Sequence, residues 1–398
     1  MSKRYIGGLI SAFNSLKVAN APTIGSATAG NQKACVAFTA PSCVGGGAVT
    51  SYTAVATPGF KTGTGASSPI TINCLTGCTA YTFTVSANNA YGPSAFSAAS
   101  NSATPFVAGT VGIFALGQNV CGTVLTTRDK YTFSGCVVSS GTAATANSDF
   151  GSAAGNSTIG IFALGNVCGV GRSTTRDKYT YSGCVVSSGA SSTNASYSGS
   201  ATGNSTVGIF ALGYAPSAST TRNKYTYSGN TNTSATASSA VSSQGSAAGN
   251  STVGIFALGF NGCSGVATRN KYTYSGDTNA SATSATTASR LGSATGNSTV
   301  GIFALGINGS GVATTTRDKY TYSGCVVSSG TAASTASFQG SAAGNSTVGI
   351  FALGYTTSPS TTRNKYTYSG CVNASGTAAS AASYTGSAAS NGTCGVNV

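Results

Sequence analysis

Gly203-Asn204-Ser205-Thr206-Val207-Gly208-Ile209-Phe210-Ala211-Leu212-Gly213, followed by Thr220-Thr221-Arg222-Asn223-Lys224-Tyr225-Thr226-Tyr227-Ser228-Gly229, recurs with small changes six times in a chain of 398 residues. The glycine opening each Gly-Ile-Phe-Ala-Leu-Gly lies at Gly112, Gly160, Gly208, Gly254, Gly301 and Gly349, giving spacings of 48, 48, 46, 47 and 48 residues. A broken seventh copy ends the chain at Thr393–Val398. Self-similarity at that period marks a repeat architecture, in which each unit buries its apolar face only against its neighbours. Residues 106–398 are therefore one repeat domain.

Within a unit the pattern is that of strands. In the fourth copy, Gly245-Ser246-Ala247-Ala248-Gly249 is a run of small side chains, and Asn250-Ser251 makes a turn. Thr252 to Leu258 is apolar on both faces, whereas Lys271-Tyr272-Thr273-Tyr274-Ser275 alternates and puts both tyrosines on one face. A weaker Ala/Ser/Thr segment, Thr278 to Ser289, closes the unit. Four strands per unit, the first made of small side chains, predict a β-propeller blade whose inner strand crowds a central channel. The first copy has no small-residue strand before it, and Gly386-Ser387-Ala388-Ala389-Ser390 supplies one without a successor. The expectation is all-β: six blades closed by the C-terminal strand, with a seventh left open by Cys394–Val398.

Composition narrows the function. Charged residues make up 6% of the chain, but 19 Tyr and 16 Phe recur in register, which separates it from disordered sequences. The net charge is +14, and 12 of the 19 basic residues belong to the six arms: Arg128 and Lys130, Arg176 and Lys178, Arg222 and Lys224, Arg269 and Lys271, Arg317 and Lys319, Arg363 and Lys365. Charge repeated in every blade points to inter-blade packing, with each Arg bonded to neighbouring carbonyls, more than to an anion-binding ring. No nucleic-acid motif accompanies it. With no His and no Glu, acid–base catalysis would fall to five Asp, and Asp129, Asp177 and Asp318 share a repeat position with Asn223, Asn270 and Asn364. A non-enzymatic protein without cofactor is expected. Absence of His and of Cys-x-x-Cys removes the usual zinc patterns. Cys136, Cys184, Cys325 and Cys371 exchange with Asn230 and Asp277, so they read as small partly buried thiols; the alternative is local bridges of Cys121 to Cys136 and Cys168 to Cys184. The Asn-Ser-Thr triplets match the glycosylation sequon but read as turns first.

Antiparallel order puts the strand 2–3 and strand 4–1 connections on one face. The former vary from copy to copy: Gln118–Leu125, Asn166–Arg172, Tyr214–Ser219, Phe260–Val266, Ile307–Val312 and Tyr355–Ser360. A constant frame with one diversified face has the layout of a recognition module. Tyr214, Phe260 and Tyr355, with Asn261, Asn308 and Arg172, are the candidate ligand-binding residues, being types that stack on and hydrogen-bond sugars.

Ahead of the repeats, residues 1–20 form a leader with one apolar patch, Tyr5 to Ile10, too short for a signal-peptide core. Short alternating strands follow: Cys35–Thr39, Tyr52–Ala56, Ile70–Ile72 and Tyr81–Val85. Their order across 21–105 resembles a fibronectin type III domain. Ala21-Pro22 opens it, Leu75 to Tyr81 is similar to a tyrosine-corner segment, and Asn88 to Ser94 and Ala98 to Asn101 are similar to the final strand pair; Phe38 stands where animal members carry Trp. The repeats in turn resemble the kelch-like repeats of tailed-phage virion proteins, through Ala-Gly-Asn-Ser-Thr-x-Gly-Ile-Phe-Ala-Leu-Gly and Thr-Arg-x-Lys-Tyr-Thr-Tyr-Ser; the double glycine and later Trp of cellular kelch repeats are absent. Tyr5 to Ser11 resembles the opening of phage tail-associated proteins. The resemblance implies a virion protein made in the host cytoplasm without a signal peptide, binding a host-surface glycan or anionic polysaccharide, beside other tail proteins. A purely structural virion protein and a bacterial surface adhesin are the alternatives.

Overall fold

The computed structural model describes residues 17–30, 32–76, 79–105, 111–133, 138–181, 185–370 and 372–391. The chain divides into two compact units, Met1–Val107 and Ala108–Val398, and every regular element among the described residues is a β-strand. Residues 1–16 of the leader and the seventh-copy remnant Thr393–Val398 lie outside the described residues.

In the first unit a three-stranded antiparallel sheet (Thr23–Gly30, Lys33–Thr39, Ile70–Ile72) and a four-stranded one (Thr62–Gly65, Ser51–Thr57, Thr82–Asn89, Gly92–Pro93) share one core. Alternation decides which side chains enter it: Ala34, Val36 and Phe38 from one strand and Tyr52, Ala54 and Ala56 from another are buried, while their neighbours are more exposed. The Tyr81 hydroxyl accepts a hydrogen bond from the Thr76 N–H at 3.1 Å. The expected last strand, Ala98 to Asn101, does not form. Instead, Ser94, Ser97 and Ser100 return along Thr82–Asn89, and their hydroxyls accept the N–H groups of Ala87, Val85 and Phe83. Serine at every third residue supplies the acceptors that a strand's carbonyls would have supplied.

Among the described residues the second unit contains six four-stranded antiparallel sheets. The third, Ser200–Gly203, Val207–Ala211, Arg222–Thr226 and Thr231–Ala235 in spatial order, is representative. The first sheet takes Val111–Ala115, Arg128–Thr132 and Val138–Gly141 from the start of the unit and Ser387–Ser390 from its end, with Ser387 opposite Ala115 and Ser390 opposite Gly112. First strands of successive sheets touch one another, and Ser387–Ser390 touches both Ser341–Gly344 and Ser152–Gly155.

Each core lies between two sheets, which is why the Val-Gly-Ile-Phe-Ala strands are apolar on both faces. Ile159 and Ile161 of the second sheet meet Phe210, Tyr225 and Tyr227 of the third; Val348 and Ile350 of the sixth meet Phe114, Tyr131 and Phe133 of the first. Glycine is required where the last tyrosine of each arm arrives: a Cβ on Gly160 or Gly208 would lie 2.8 Å from the hydroxyl of Tyr181 or Tyr227. In the first sheet that tyrosine is Phe133, and there Ser390 replaces the inner-strand glycine and donates its hydroxyl to the Gly344 carbonyl at 2.6 Å.

Candidate recognition face

The residue before each Gly-Ser-Ala strand is constant in backbone and varied in side chain. Phe150, Ser198, Gln244, Leu291, Gln339 and Thr385 all adopt the left-handed conformation, with φ between 50° and 57°. None is glycine, although that region disfavours a Cβ. Their backbones explain the tolerance: Ser198 N–H donates to Phe150 O, Gln244 to Ser198, Leu291 to Gln244, Gln339 to Leu291, Thr385 to Gln339 and Phe150 to Thr385. Six hydrogen bonds thus link all six modules at one level, and the conformation is over-determined by neighbours rather than chosen by the residue. The glycine after each Leu is needed for the same junction; a Cβ on Gly213 (φ 73°) would lie 2.4 Å from the Ser198 carbonyl oxygen.

One residue further out, Asp149, Tyr197, Ser243, Arg290, Phe338 and Tyr384 pair with the first loop residues Asn166, Tyr214, Phe260, Ile307, Tyr355 and Gln118. Three of the expected ligand-binding residues, Tyr214, Phe260 and Tyr355, therefore hold one repeat position, and they do not touch one another. Tyr214 meets Tyr197 at 5.2 Å between ring centroids, and Tyr197 meets Phe150 at 6.0 Å. Tyr355 meets Phe338 at 5.2 Å and Tyr384 at 5.5 Å. Phe260 lies under the Arg290 guanidinium at 5.0 Å. Opposed to these aromatic groups is a polar one: buried Asp149 accepts from Gln118 Nε2 at 2.6 Å and Asn166 Nδ2 at 3.0 Å. Burial raises its pKa above the usual carboxylate value, and the two amide donors oppose the rise. Asn261 and Asn308 are spent on their own loops, accepting from Cys263 and Ser264 and from Ser310 and Val312. Arg172 is exposed at the end of its loop.

Sequence reasoning named the strand 2–3 residues and missed their partners, above all Phe150, Tyr197, Arg290, Phe338 and Tyr384. The available signal was local: between the Ala/Ser/Thr segment and the fixed Gly-Ser-Ala or Gly-Ser-Ala-Thr, two positions differ in almost every copy.

The repeated arginines belong to the interior. Arg128, Arg176, Arg222, Arg269, Arg317 and Arg363 are at most 1% exposed, and each stacks over a phenylalanine of the next sheet, at 4.5 to 4.7 Å. All but Arg269 also donate to a backbone carbonyl, for example that of Ala143 or Ala190. Lys130, Lys178, Lys224, Lys271, Lys319 and Lys365 are half-buried. Asp129, Asp177 and Asp318 are fully buried partners of Arg363, Arg128 and Arg269 at 2.9 Å, and Asp277 accepts from the Tyr272 hydroxyl. No group of three metal-ligating side chains occurs among the described residues, and no helix among them is long and apolar enough to cross a membrane.

On the other face, each Asn-Ser-Thr asparagine is enclosed in its turn. Asn204 Oδ1 accepts from Thr206 N, Thr206 Oγ1 and Val207 N, while its Nδ2 donates to the Ser251 carbonyl of the next module. The amide nitrogen that a glycan would occupy is engaged. Cys121, Cys168 and Cys263 are exposed free thiols and Cys325 is half-buried; Cys136, Cys184 and Cys371 lie outside the described residues, and with them the two candidate bridges.

No family model matches the chain, and no curated protein does. Among solved structures, domains A168–A170 of titin align at 22% identity over 22% of this chain and 32% of that one, with a TM-score of 0.20. The chain thus spans about a third of that structure's length, and a superposition so loose carries no argument about fold or function.

Proposed function

We propose that the second unit is a kelch-like β-propeller of six blades, closed by Ser387–Ser390, and that the protein is a non-enzymatic tailed-phage virion component. In this reading the first unit is a fibronectin type III-like β-sandwich acting as a spacer, and the varied face of the propeller binds a host-surface glycan. One observation carries the recognition role: an invariant ring of backbone hydrogen bonds carries five kinds of side chain at six equivalent positions. Selection for stability alone would have no reason to diversify left-handed positions that glycine fits best.

The chemistry of the face suits a sugar. The aromatic groups around Tyr197 and Tyr355 offer flat apolar surfaces, and Gln118 and Asn166, positioned by buried Asp149, together with Arg290 offer hydrogen bonds. Binding of the full chain to an array of bacterial-surface glycans tests this. A retained glycan whose signal falls at least tenfold in Tyr197→Ala and Tyr355→Ala, both still folded, is the expected result. Absence of any retained glycan, or retention unaffected by both changes, favours the purely structural virion role.

A further inference from the structure

We propose that the niche between the fourth and fifth sheets, beside Arg290 on the varied face, takes the carboxylate of an acidic sugar, so that the glycan recognised is of the uronic-acid class. The assignment rests on the glycan reading above and narrows it. Gln244, Val266, Arg269, Ser289 and Arg290 are among the residues lining the niche, whose volume is about 10 Å³, room for one water-sized group.

Three unspent polar groups meet there. Gln244 Oε1 is buried without a hydrogen-bond partner, a state that costs free energy until something donates to it. The ring of backbone bonds fixes this residue from both sides, its N–H donating to Ser198 O and its own carbonyl accepting from Leu291 N–H. Arg269 is 0% exposed, and its Nη1, unlike that of the five other repeated arginines, has no acceptor. The Arg290 guanidinium lies over the Phe260 ring at 5.0 Å and makes no hydrogen bond or ion pair among the described residues. Stacking sets the plane of its fork and leaves the N–H groups free to donate within that plane.

Charge separates a ligand from a trapped water. A water could satisfy Gln244 Oε1, but it would leave Arg290 uncompensated. Arg269 is paired with Asp318 through Nη2, and no carboxylate is among the described residues that line the niche. At the equivalent positions Asp149 is already met by two amides, and Tyr197, Phe338 and Tyr384 by rings. One free positive fork suits one planar monovalent anion, since a carboxylate accepts two parallel N–H bonds from a guanidinium. One carboxylate oxygen enters the niche toward Arg269 Nη1 while the sugar ring stays outside, where a ring hydroxyl can donate to Gln244 Oε1. A phosphate brings a tetrahedral bulk and a second charge that this niche does not match. A neutral sugar leaves Arg290 unpaired.

Calorimetric titration of the full chain with sodium D-glucuronate, against D-glucose at matched ionic strength, tests the niche. An array of uronate-bearing glycans beside their carboxyl-reduced forms tests the class. Glucuronate is expected to bind saturably and glucose not to bind, and retention on the array should fall about tenfold on carboxyl reduction. Gln244→Leu and Arg290→Ser place side chains already present at equivalent positions, Leu291 and Ser243, so both should fold as the parent does and lose glucuronate binding. Arg290→Lys keeps the charge without the fork and should lose most of it. Lys61→Met, which removes one exposed charge from the first unit, should change nothing. Glycans retained equally well after carboxyl reduction overturn the proposal and leave the glycan reading standing. Glucuronate bound by a chain that retains no glycan supports the niche and overturns that reading. Absence of glucuronate binding overturns the proposal, as does binding that survives Arg290→Lys or falls equally in Lys61→Met, which would mark attraction to the basic surface at large.

Discussion

Two kinds of interface, three of each, join the sheets of the second unit, and they solve one problem differently. Arg128, Arg269 and Arg363 each meet a carboxylate of the next sheet, and that carboxylate also accepts from a backbone N–H and a hydroxyl, as Asp177 does from Thr145. Arg176, Arg222 and Arg317 meet two amides: Arg176 donates to Asn223 at 3.3 Å and Asn232 at 2.8 Å, Arg222 to Asn270 and Asn279, Arg317 to Asn364 and Asn373. Where the first partner is Asp, the residue nine further along is valine (Val138, Val186, Val327); where it is Asn, a second asparagine stands there. A buried guanidinium needs either one opposite charge or more neutral acceptors. Burial pushes Arg176, Arg222 and Arg317 down to about 10, whereas in the carboxylate class the Asp partner opposes the effect of burial.

The contrast breaks most visibly on truncation. Asp177→Ala strands the Arg128 charge and should cost about 3–5 kcal/mol in urea unfolding, while Asn223→Ala, which leaves Asn232 in place, should cost about 1–3 kcal/mol. Equal losses would mean that the two classes are not distinct. Interconversion comes next. Asp177→Asn alone should destabilise, and adding Val186→Asn should recover most of the loss, with a coupling energy of about 1–2 kcal/mol in the double-mutant cycle.

Alkaline pH sharpens the comparison more gently. The three amide-class arginines have folded pKa values below their ordinary 12.5, so between about 10 and 12.5 the unfolded chain binds more protons and they alone would raise stability. Eight tyrosines work the other way. Burial raises Tyr181, Tyr225, Tyr227, Tyr272, Tyr274, Tyr320, Tyr322 and Tyr368 above 10, so the stability they give is complete below pH 10 and is lost as pH rises beyond it. Eight groups outweigh three, and urea midpoints should fall above pH 10, with phenolate absorbance appearing only as the chain unfolds.

Why some of this was readable in the sequence and some was not follows from range. The all-β class was legible because Val253 to Ala257 and Lys271 to Tyr274 carry their pairing in their own periodicity. The strand expected at Ala98 to Asn101 failed because side-chain hydroxyls took over a backbone role, which hydropathy does not register. The left-handed ring was hidden for a related reason: Phe150 and Leu291 are poor turn formers, and hydrogen bonds to residues one or more whole repeats away hold them there. The partners of the arginines were hidden by distance, but their joint variation with Val186 or Asn232 stood in the text of the repeats.

The smallest expected effect tests whether the amide class is a choice or an accident. Asn223→Asp puts a carboxylate where Thr193 N already donates at 3.0 Å and Asn232 Nδ2 at 3.2 Å, so three donors including Arg176 would face it. Charge-assisted bonds are roughly twice as strong as neutral ones, but the new charge must also be desolvated, leaving a gain of about 0.5–1 kcal/mol. The same change in Val186→Asn/Asp177→Asn protein, whose carboxylate has moved one interface along, should restore the parent's stability if interfaces act independently. A gain well above 1 kcal/mol would mean that neutral partners at Arg176, Arg222 and Arg317 are kept at a cost to stability.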